Sequence, residues 1–362
     1  MTTAKPKVEL SKMPQLDGLR ALCLLSIIIH HWTVNSVHLP FPFEIGAFVF
    51  FALSGYLITR ILLRAKDKWE SGAATFGSIL KSFTMRRFLR LIPAYLVAIL
   101  LYVILLTPDV LQNFLWYLTN TSNIHFARQG SWSGGADQFW TLAVDQQFYA
   151  FWPFLVLLAP KRALPFLLII LAALSPLSRY LAHYDLALFT GGKHDKLPWF
   201  LTDHLCFGAL LAVCHESGRL PKKFYFWIGF WGTLVIYLLI RYSIIQFPLH
   251  GLFQQTILAA FSVCLVGICI QEMGGIGKVI LEHPKIQYLG KRSYGYYLYH
   301  NLAILLLGKI AFFLFPEPGD KDYFLLLRLI SASGILYALA HYSWKYVEGP
   351  LNSLKSKHRY QK

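Results

Sequence analysis

Arg20 and His31 stand eleven residues apart in one apolar stretch, residues 16–34. In a helix, eleven residues at about 100° each make three turns and roughly 20° more, so the two side chains share a face. At about 1.5 Å per residue they are separated by roughly 16 Å along the axis. An imidazole in an apolar setting can take and return a proton, and a guanidinium can hold an anion. His30, beside His31, reads as a hydrogen-bonded packing residue. The stretch FWTLAVDQQFYAFWP, residues 139–153, places Asp145 at a depth close to that of His31. A carboxylate beside an imidazole fixes its tautomer and raises its basicity, which a general base needs. The other reading of Asp145 is an Asp–Gln hydrogen-bond knot that ties helices together. Tyr149 in the same stretch is a candidate for substrate contact.

A third group lies in MRRFLRLIPAY, residues 85–95. Arg86, Arg87 and Arg90 are spaced three and four apart, so their guanidiniums converge on one helix face. Such a fork suits a phosphate, including a nucleotide phosphate. Ordinary anchoring of a basic loop at a membrane surface is the alternative. Upstream, Phe76, Ile79, Leu80 and Phe83 have helical spacing and predict an amphipathic interfacial helix. Weaker candidates are His300 in YGYYLYHNLAI and the Asp203–His204 pair. Asp203 and His300 are carried forward as candidate substrate-binding residues. Ser54-Gly55 reads as a place where helices approach closely.

The elements that must position these residues follow from composition. Of 362 residues, 56% are apolar and 14% charged, where soluble domains carry about a quarter charged. A soluble fold, a disordered chain, a coiled coil and collagen are all excluded by this balance. A bilayer core of about 30 Å takes about 20 apolar residues per helix. Ten segments qualify: 16–34, 42–64, 91–107, 138–159, 163–179, 199–216, 224–244, 251–272, 288–313 and 323–347. The run 110–118 is apolar but too short to cross. The expectation is an all-α integral membrane protein, a bundle of about ten transmembrane helices in a single domain over 1–362, with short tails at 1–15 and 349–362. Ionisable groups within such a bundle are costly, which marks them as pointers to function.

Charge supplies an independent test. The chain carries 34 Lys and Arg against 18 Asp and Glu, a net +16. With ten spans both termini share a side, and 25 of the 34 basic residues sort to it. The positive-inside rule places that side, with both termini, in the cytoplasm. Because the basic residues fall in short, separated loops, nucleic-acid binding is excluded as the reason for the charge. The first span resembles a signal peptide, but Asp17 and Arg20 at its start and the lack of a small-residue cleavage site predict a retained helix. The five cysteines all fall in spans without a CxxC pair, and read as buried apolar residues. No disulfide framework is indicated, and the scattered histidines give no metal site.

Six segments, in order, resemble the membrane-bound acyltransferase-3 family: LDGLRALCLLSIIIHH (16–31), FFALSGYLIT (50–59), RRFLRLIPAY (86–95), FWTLAVDQQFYAFWP (139–153), LGKRSYGYYLYH (289–300) and YVEGPL (346–351). The resemblance implies a multi-pass protein, expected in the bacterial inner membrane. It implies transfer of an acyl group, usually acetyl, from cytoplasmic acyl-CoA to a carbohydrate hydroxyl. Acceptors in the family include lipopolysaccharide O-antigen, capsule, exopolysaccharide and peptidoglycan. It implies that His31 is the catalytic histidine, with Arg20 in its arginine–ten residues–histidine motif, and that Arg87 and Arg90 engage acyl-CoA as its RxxR motif. The family's acidic position in the fourth span is usually Glu and is Asp145 here. The tryptophan common before the ninth-span histidine is Tyr299, and Asn301 also departs from the pattern. Some members append a soluble domain after the last span, and none is expected here. From the residues alone, a proton-coupled transporter of a glycan or lipid-linked sugar also accounts for buried Asp, His and Arg. Against it, the two halves show no repeat and the arginine fork has no role.

Overall fold

The structure is a computed structural model in which residues 13–33, 42–131, 134–183, 194–244, 250–314 and 325–357 are described. The basic residues Lys5, Lys7, Lys12, Lys193, Lys321, Arg359 and Lys362, which entered the charge reading, lie outside them. Every regular element among the described residues is helical. The long helices are α1 (Pro14–Thr33), α2 (Ile45–Glu70), α3 (Phe76–Ile104), α4 (Phe139–Leu158), α5 (Leu164–His183), α6 (Thr202–Glu216), α7 (Lys223–Arg241), α8 (His250–Ile270), α9 (Ser293–Leu314) and α10 (Leu325–Ser343).

Among the described residues, seven helices are long and apolar enough to cross a membrane. The three long helices that miss this standard are α1, α4 and α6. α6 has only 15 residues. α1 and α4 have 20 each, and it is Asp17, Arg20, His30 and His31 on one, and Asp145, Gln146 and Gln147 on the other, that lower their hydropathy. Two of the three helices least suited to lipid, α1 and α4, therefore carry His31, Arg20 and Asp145.

Three local outcomes differ from expectation or refine it. The amphipathic segment at Phe76 and the span after it form one 29-residue helix, α3. Thr75 caps its start, accepting from Ser78 N at 3.2 Å, and Pro93 is accommodated inside it. The ninth segment is broken: a short helix, Pro284–Lys291, stops at Arg292, and α9 begins at Ser293. Arg292 is held at that break by Tyr288 and Trp344, whose ring centroids lie 3.8 and 4.8 Å from its guanidinium carbon. The run 110–118 is split between two five-residue helices, Pro108–Gln112 and Phe114–Leu118, too short to cross.

α2 is the central post. Two thirds of its apolar window is buried, 67% against 17% for α7. Its approach to α6 is backbone on backbone. A Cβ on Gly55 would lie 2.0 Å from Leu205 O, and one on Gly208 would lie 2.1 Å from Ala52 O. The start of α1 is pinned in the same way: a Cβ on Gly290 would lie 1.8 Å from Asp17 O, and one on Gly18 would lie 2.2 Å from Leu281 O. Small residues at such crossings let helices gain dispersion contacts that lipid cannot match. On the outer faces, Phe151, Phe166, Phe312 and Phe313 are exposed, as lipid-facing positions should be. Gly55→Ala is expected to lower the melting temperature in detergent, by overpacking worth about 1–3 kcal/mol. Gly77→Ala, where a Cβ meets nothing within 4 Å, should be neutral or slightly stabilising. Equal melting temperatures for the two variants would count against the α2–α6 contact.

Candidate active site

Helices α1, α2, α3, α4 and α9 enclose a cavity of about 280 Å³. Each helix turns one face to it. On α2 the lining positions are 47, 50, 51, 54, 57, 58 and 61, and on α4 they are 141, 142, 145, 146 and 149. Both sets have the three-and-four spacing of a single helix face. α2 contributes mostly apolar wall, including Phe50, Phe51, Leu57 and Ile61. The polar wall is Arg20, Arg87, Arg90, Asp145, Gln146 and Tyr149. The cavity thus gathers Arg20, Arg87, Arg90, Asp145 and Tyr149 from three separate segments of the sequence. Arg86 is not among the residues that line it.

Within this wall, the Arg87 guanidinium carbon lies 5.7 Å from the Tyr149 ring centroid. Arg20 holds Asp17 at 2.9 Å. The Ser54 and Tyr149 hydroxyls are 3.4 Å apart, and both are hydrogen-bonding neighbours of Asp145, which also feels the charge of Arg87. Asp145 Oδ1 is buried and has no hydrogen-bond partner. A bare carboxylate oxygen on a cavity wall is a place for a donor from outside the chain.

The expected pairing of Asp145 with His31 does not form. The partner of His31 comes from α9: His31 Nδ1 lies 2.5 Å from His300 Nε2. The ring planes are 7° apart with centroids at 4.8 Å, a separation that fits rings meeting edge to edge through that contact. His300 Nδ1 in turn lies 2.5 Å from the Tyr297 carbonyl oxygen. A carbonyl only accepts, so His300 carries its proton on Nδ1. With both rings neutral, His300 Nε2 must then accept, and His31 Nδ1–H must donate to it. That leaves His31 Nε2 without a proton and with its lone pair available, the tautomer a base or nucleophile requires.

This pair is held from several sides. Trp32 Nε1 donates to His300 O at 3.2 Å, and Arg328 Nη2 donates to Trp32 O at 2.7 Å. The Tyr297 side chain belongs to the cavity wall, and its hydroxyl bonds the Thr141 hydroxyl. Tyr297 therefore touches both the cavity and the imidazole pair. Sequence reasoning missed it; the only signal was its place in the tyrosine-rich run before His300. His30 turns elsewhere, 3.5 Å from Glu44, in keeping with its reading as a packing residue. Among the described residues no group of three or more His, Cys, Asp or Glu is placed to hold a metal.

The helices form an apolar bundle around a buried histidine pair and an arginine-lined cavity, and comparison with known proteins supplies the class. The Acyl_transf_3 family model, described as an acyltransferase domain, matches residues 13–342, and the chain belongs to that family. With its apolar helices, this makes it a multi-pass membrane protein. The chain is 27% identical to the peptidoglycan O-acetyltransferase OatA of Listeria monocytogenes, over 94% of this chain and 56% of that protein. It is 28% identical to the putative peptidoglycan O-acetyltransferase YrhL of Bacillus subtilis, over 94% and 55%. It is 29% identical to a putative O-acetyltransferase of Staphylococcus aureus, over 81% and 50%. The chain thus spans about half the length of these relatives. No solved structure matches it.

Asp203 is placed away from the cavity. It is fully buried and accepts from Arg179 Nη2 at 2.6 Å and Thr256 Oγ1 at 2.8 Å. Arg179 also donates to Phe200 O at 2.7 Å. The ion pair ties α5, α6 and α8 together. Removing one partner of a buried pair costs about 3–5 kcal/mol, whereas removing both charges costs far less. Arg179→Met should therefore melt well below wild type, and adding Asp203→Asn should recover most of the loss. Should Asp203→Asn alone abolish catalysis at unchanged stability, Asp203 belongs to the substrate site after all.

Proposed function

We propose that the protein is an O-acyltransferase that moves an acyl group, in the simplest case acetyl, from cytoplasmic acyl-CoA to a hydroxyl of a cell-surface or exported carbohydrate. In this reading all ten segments cross a bacterial inner membrane and both termini face the cytoplasm. The observation that carries it is the relay from the Tyr297 carbonyl through His300 to His31, which leaves His31 Nε2 with a free lone pair on the same bundle as an arginine-lined cavity. The names of the two peptidoglycan O-acetyltransferases among its relatives support a glycan acceptor.

The chain's own groups divide the work. Arg87 and Arg90 hold the phosphate end of the donor by charge-assisted hydrogen bonds. The apolar face of α2 accommodates the arm, and Asp145 Oδ1 accepts from an amide N–H on it. His31 Nε2 takes the proton of the acceptor hydroxyl as the new carbon–oxygen bond forms and the carbon–sulfur bond breaks, then returns that proton to the departing sulfur. The same lone pair also serves a route in which His31 carries the acyl group between donor and acceptor. Arg20 keeps the lower end of α1 in the cavity wall.

His31→Ala is expected to lower transfer by about 10²–10⁴-fold, with the protein still folded and inserted and a fall in melting temperature no larger than the loss of its bond to His300, about 1–3 kcal/mol, accounts for. Acetyl released from the glycan product measures it, and wild-type turnover in that variant would sink the assignment. Arg87→Glu should weaken acyl-CoA binding by at least about tenfold, since a hydrogen bond to a charged group contributes about 1.5–3 kcal/mol. Calorimetric titration in detergent reads the change, and an unaltered Kd would remove Arg87 from the donor site.

A further inference from the structure

A second cavity, of about 270 Å³, adjoins the first and shares Arg20, Arg90 and Tyr294 with it. The rest of its wall brings together distant parts of the chain: Asp17 from α1, Lys291 from the short helix before α9, and Trp344, Glu348, Asn352 and Lys355 from the end of the described chain. Four cationic side chains line it, with two carboxylates between them. Both carboxylates are engaged. Asp17 accepts from Arg20 at 2.9 Å, and Glu348 Oε1 accepts from Ser343 Oγ at 3.0 Å. Arg90 and Lys291 have no carboxylate within ion-pair distance among the described residues. Four cations against two carboxylates leave the wall with an excess of positive charge, which suits an anion.

The backbone points the same way. Residues Trp344–Glu348 form a π-helical turn, a rare geometry that recurs at functional sites. Both its end residues line the cavity. Room for Glu348 is made by Gly295, where a Cβ would come within 2.6 Å of Glu348 Oε1. Size supplies a further constraint. Pockets that bury a drug-sized ligand run to about 300–1,000 Å³, so the first cavity alone is too small for a whole acyl-CoA.

We infer that the second cavity extends the phosphate site of Arg87 and Arg90 and holds the rest of the donor's nucleotide phosphates, with Arg20 and Arg90 at the throat between the two chambers and Lys291 and Lys355 on the outer wall, so that only the acylated arm passes beyond Arg87 into the first. This rests on the acyl-CoA reading above. A pH signature follows from Lys355. Burial, and then the charges of Arg90, Arg87 and Arg86, bring its pKa down to about 7, with Glu348 opposing. Its ammonium also donates to Asn352 Oδ1, and Asp17, Arg20 and Lys291 face the same cavity. A bound phosphate favours the charged lysine, so binding takes up a proton. Below about pH 7 Lys355 is already charged. Above it, affinity should fall by up to about tenfold per pH unit.

The test uses the full-length protein in detergent, with acetyl-CoA, S-acetylpantetheine, which lacks the nucleotide, and adenosine 3′,5′-bisphosphate. Expected results are competition between the bisphosphate and acetyl-CoA, and a rise in KM for acetyl-CoA in Lys291→Gln and Lys355→Gln at least tenfold greater than the rise for S-acetylpantetheine. Lys355→Arg should bind acetyl-CoA at pH 8.5 more tightly than wild type and lose the decline in affinity above pH 7. An equal loss for both donors, no competition by the bisphosphate, or an undiminished pH slope in Lys355→Arg overturns the inference. Failure of the wild-type protein to transfer acetyl from either thioester is a different result: it removes the acyltransferase reading itself, and the inference with it.

Discussion

A ring nitrogen taken out of water without a partner costs free energy, and the hydrogen bond from His31 to His300 is where α1 and α9 avoid that cost. Much else depends on it. For the two rings to meet at 2.5 Å, α1 must sit in one register against α9, because a slip of one turn moves a side chain by about 5.4 Å. The bond from Trp32 to His300 O holds the same register one residue further on. Since α1 is a rigid rod, fixing His31 also fixes Arg20 three turns away, at the opposite end of the helix. The spacing of those two residues therefore acts as a ruler between the imidazole pair and the arginine end of the cavity.

Register at one end would mean little if the lower end of α1 were loose. There Gly18 and Gly290 let the backbones of α1 and the neighbouring short helices touch, so no side chain is available to shift and absorb a displacement. The wall helices are fixed by similar means. Gly55 and Gly208 close α2 onto α6, and the Arg179–Asp203 pair ties α5, α6 and α8. Lys66, buried in α2, donates to Val156 O at 3.2 Å and also to Ala159 O at the end of α4, satisfying carbonyls that a helix terminus leaves open. These devices lie outside the cavity. They leave its own polar groups, such as Asp145 Oδ1, free of structural duty.

What could be read in the sequence was what lies on one helix. The shared face of Arg20 and His31 and the convergence of Arg86, Arg87 and Arg90 follow from helical periodicity; Arg87 and Arg90 do line one cavity, whereas Arg86 does not, and the close approach expected at Ser54-Gly55 is found at Gly55. Partners between helices could not be read in this way. His31 and His300 are 269 residues apart, and no spacing rule connects them. Asp145 was assigned to His31 on depth alone, but depth leaves the direction around the helix open, and its face turns to the cavity between α2 and α3. An ionisable group in a span signals function, but periodicity does not show that the charge of Asp203 is met by Arg179, 24 residues away. In the sequence Lys355 is indistinguishable from the other basic residues of the tail, whereas in the fold residues 349–357 turn back against α3.

That fold-back has an electrostatic cost which bears on the choice of residue. Arg86, Arg87 and Arg90 all act on Lys355, and like charges crowded in a half-buried site repel strongly because water screens them poorly. An arginine is effectively always charged, so a fourth one here would have no way to relieve the repulsion without an anion. A lysine can release its proton instead. The cluster is then tolerable with one charge fewer, and it keeps the capacity to regain that charge beside a polyanion. The basic cluster and the imidazole pair are also kept apart, toward opposite ends of α1 and three turns from each other.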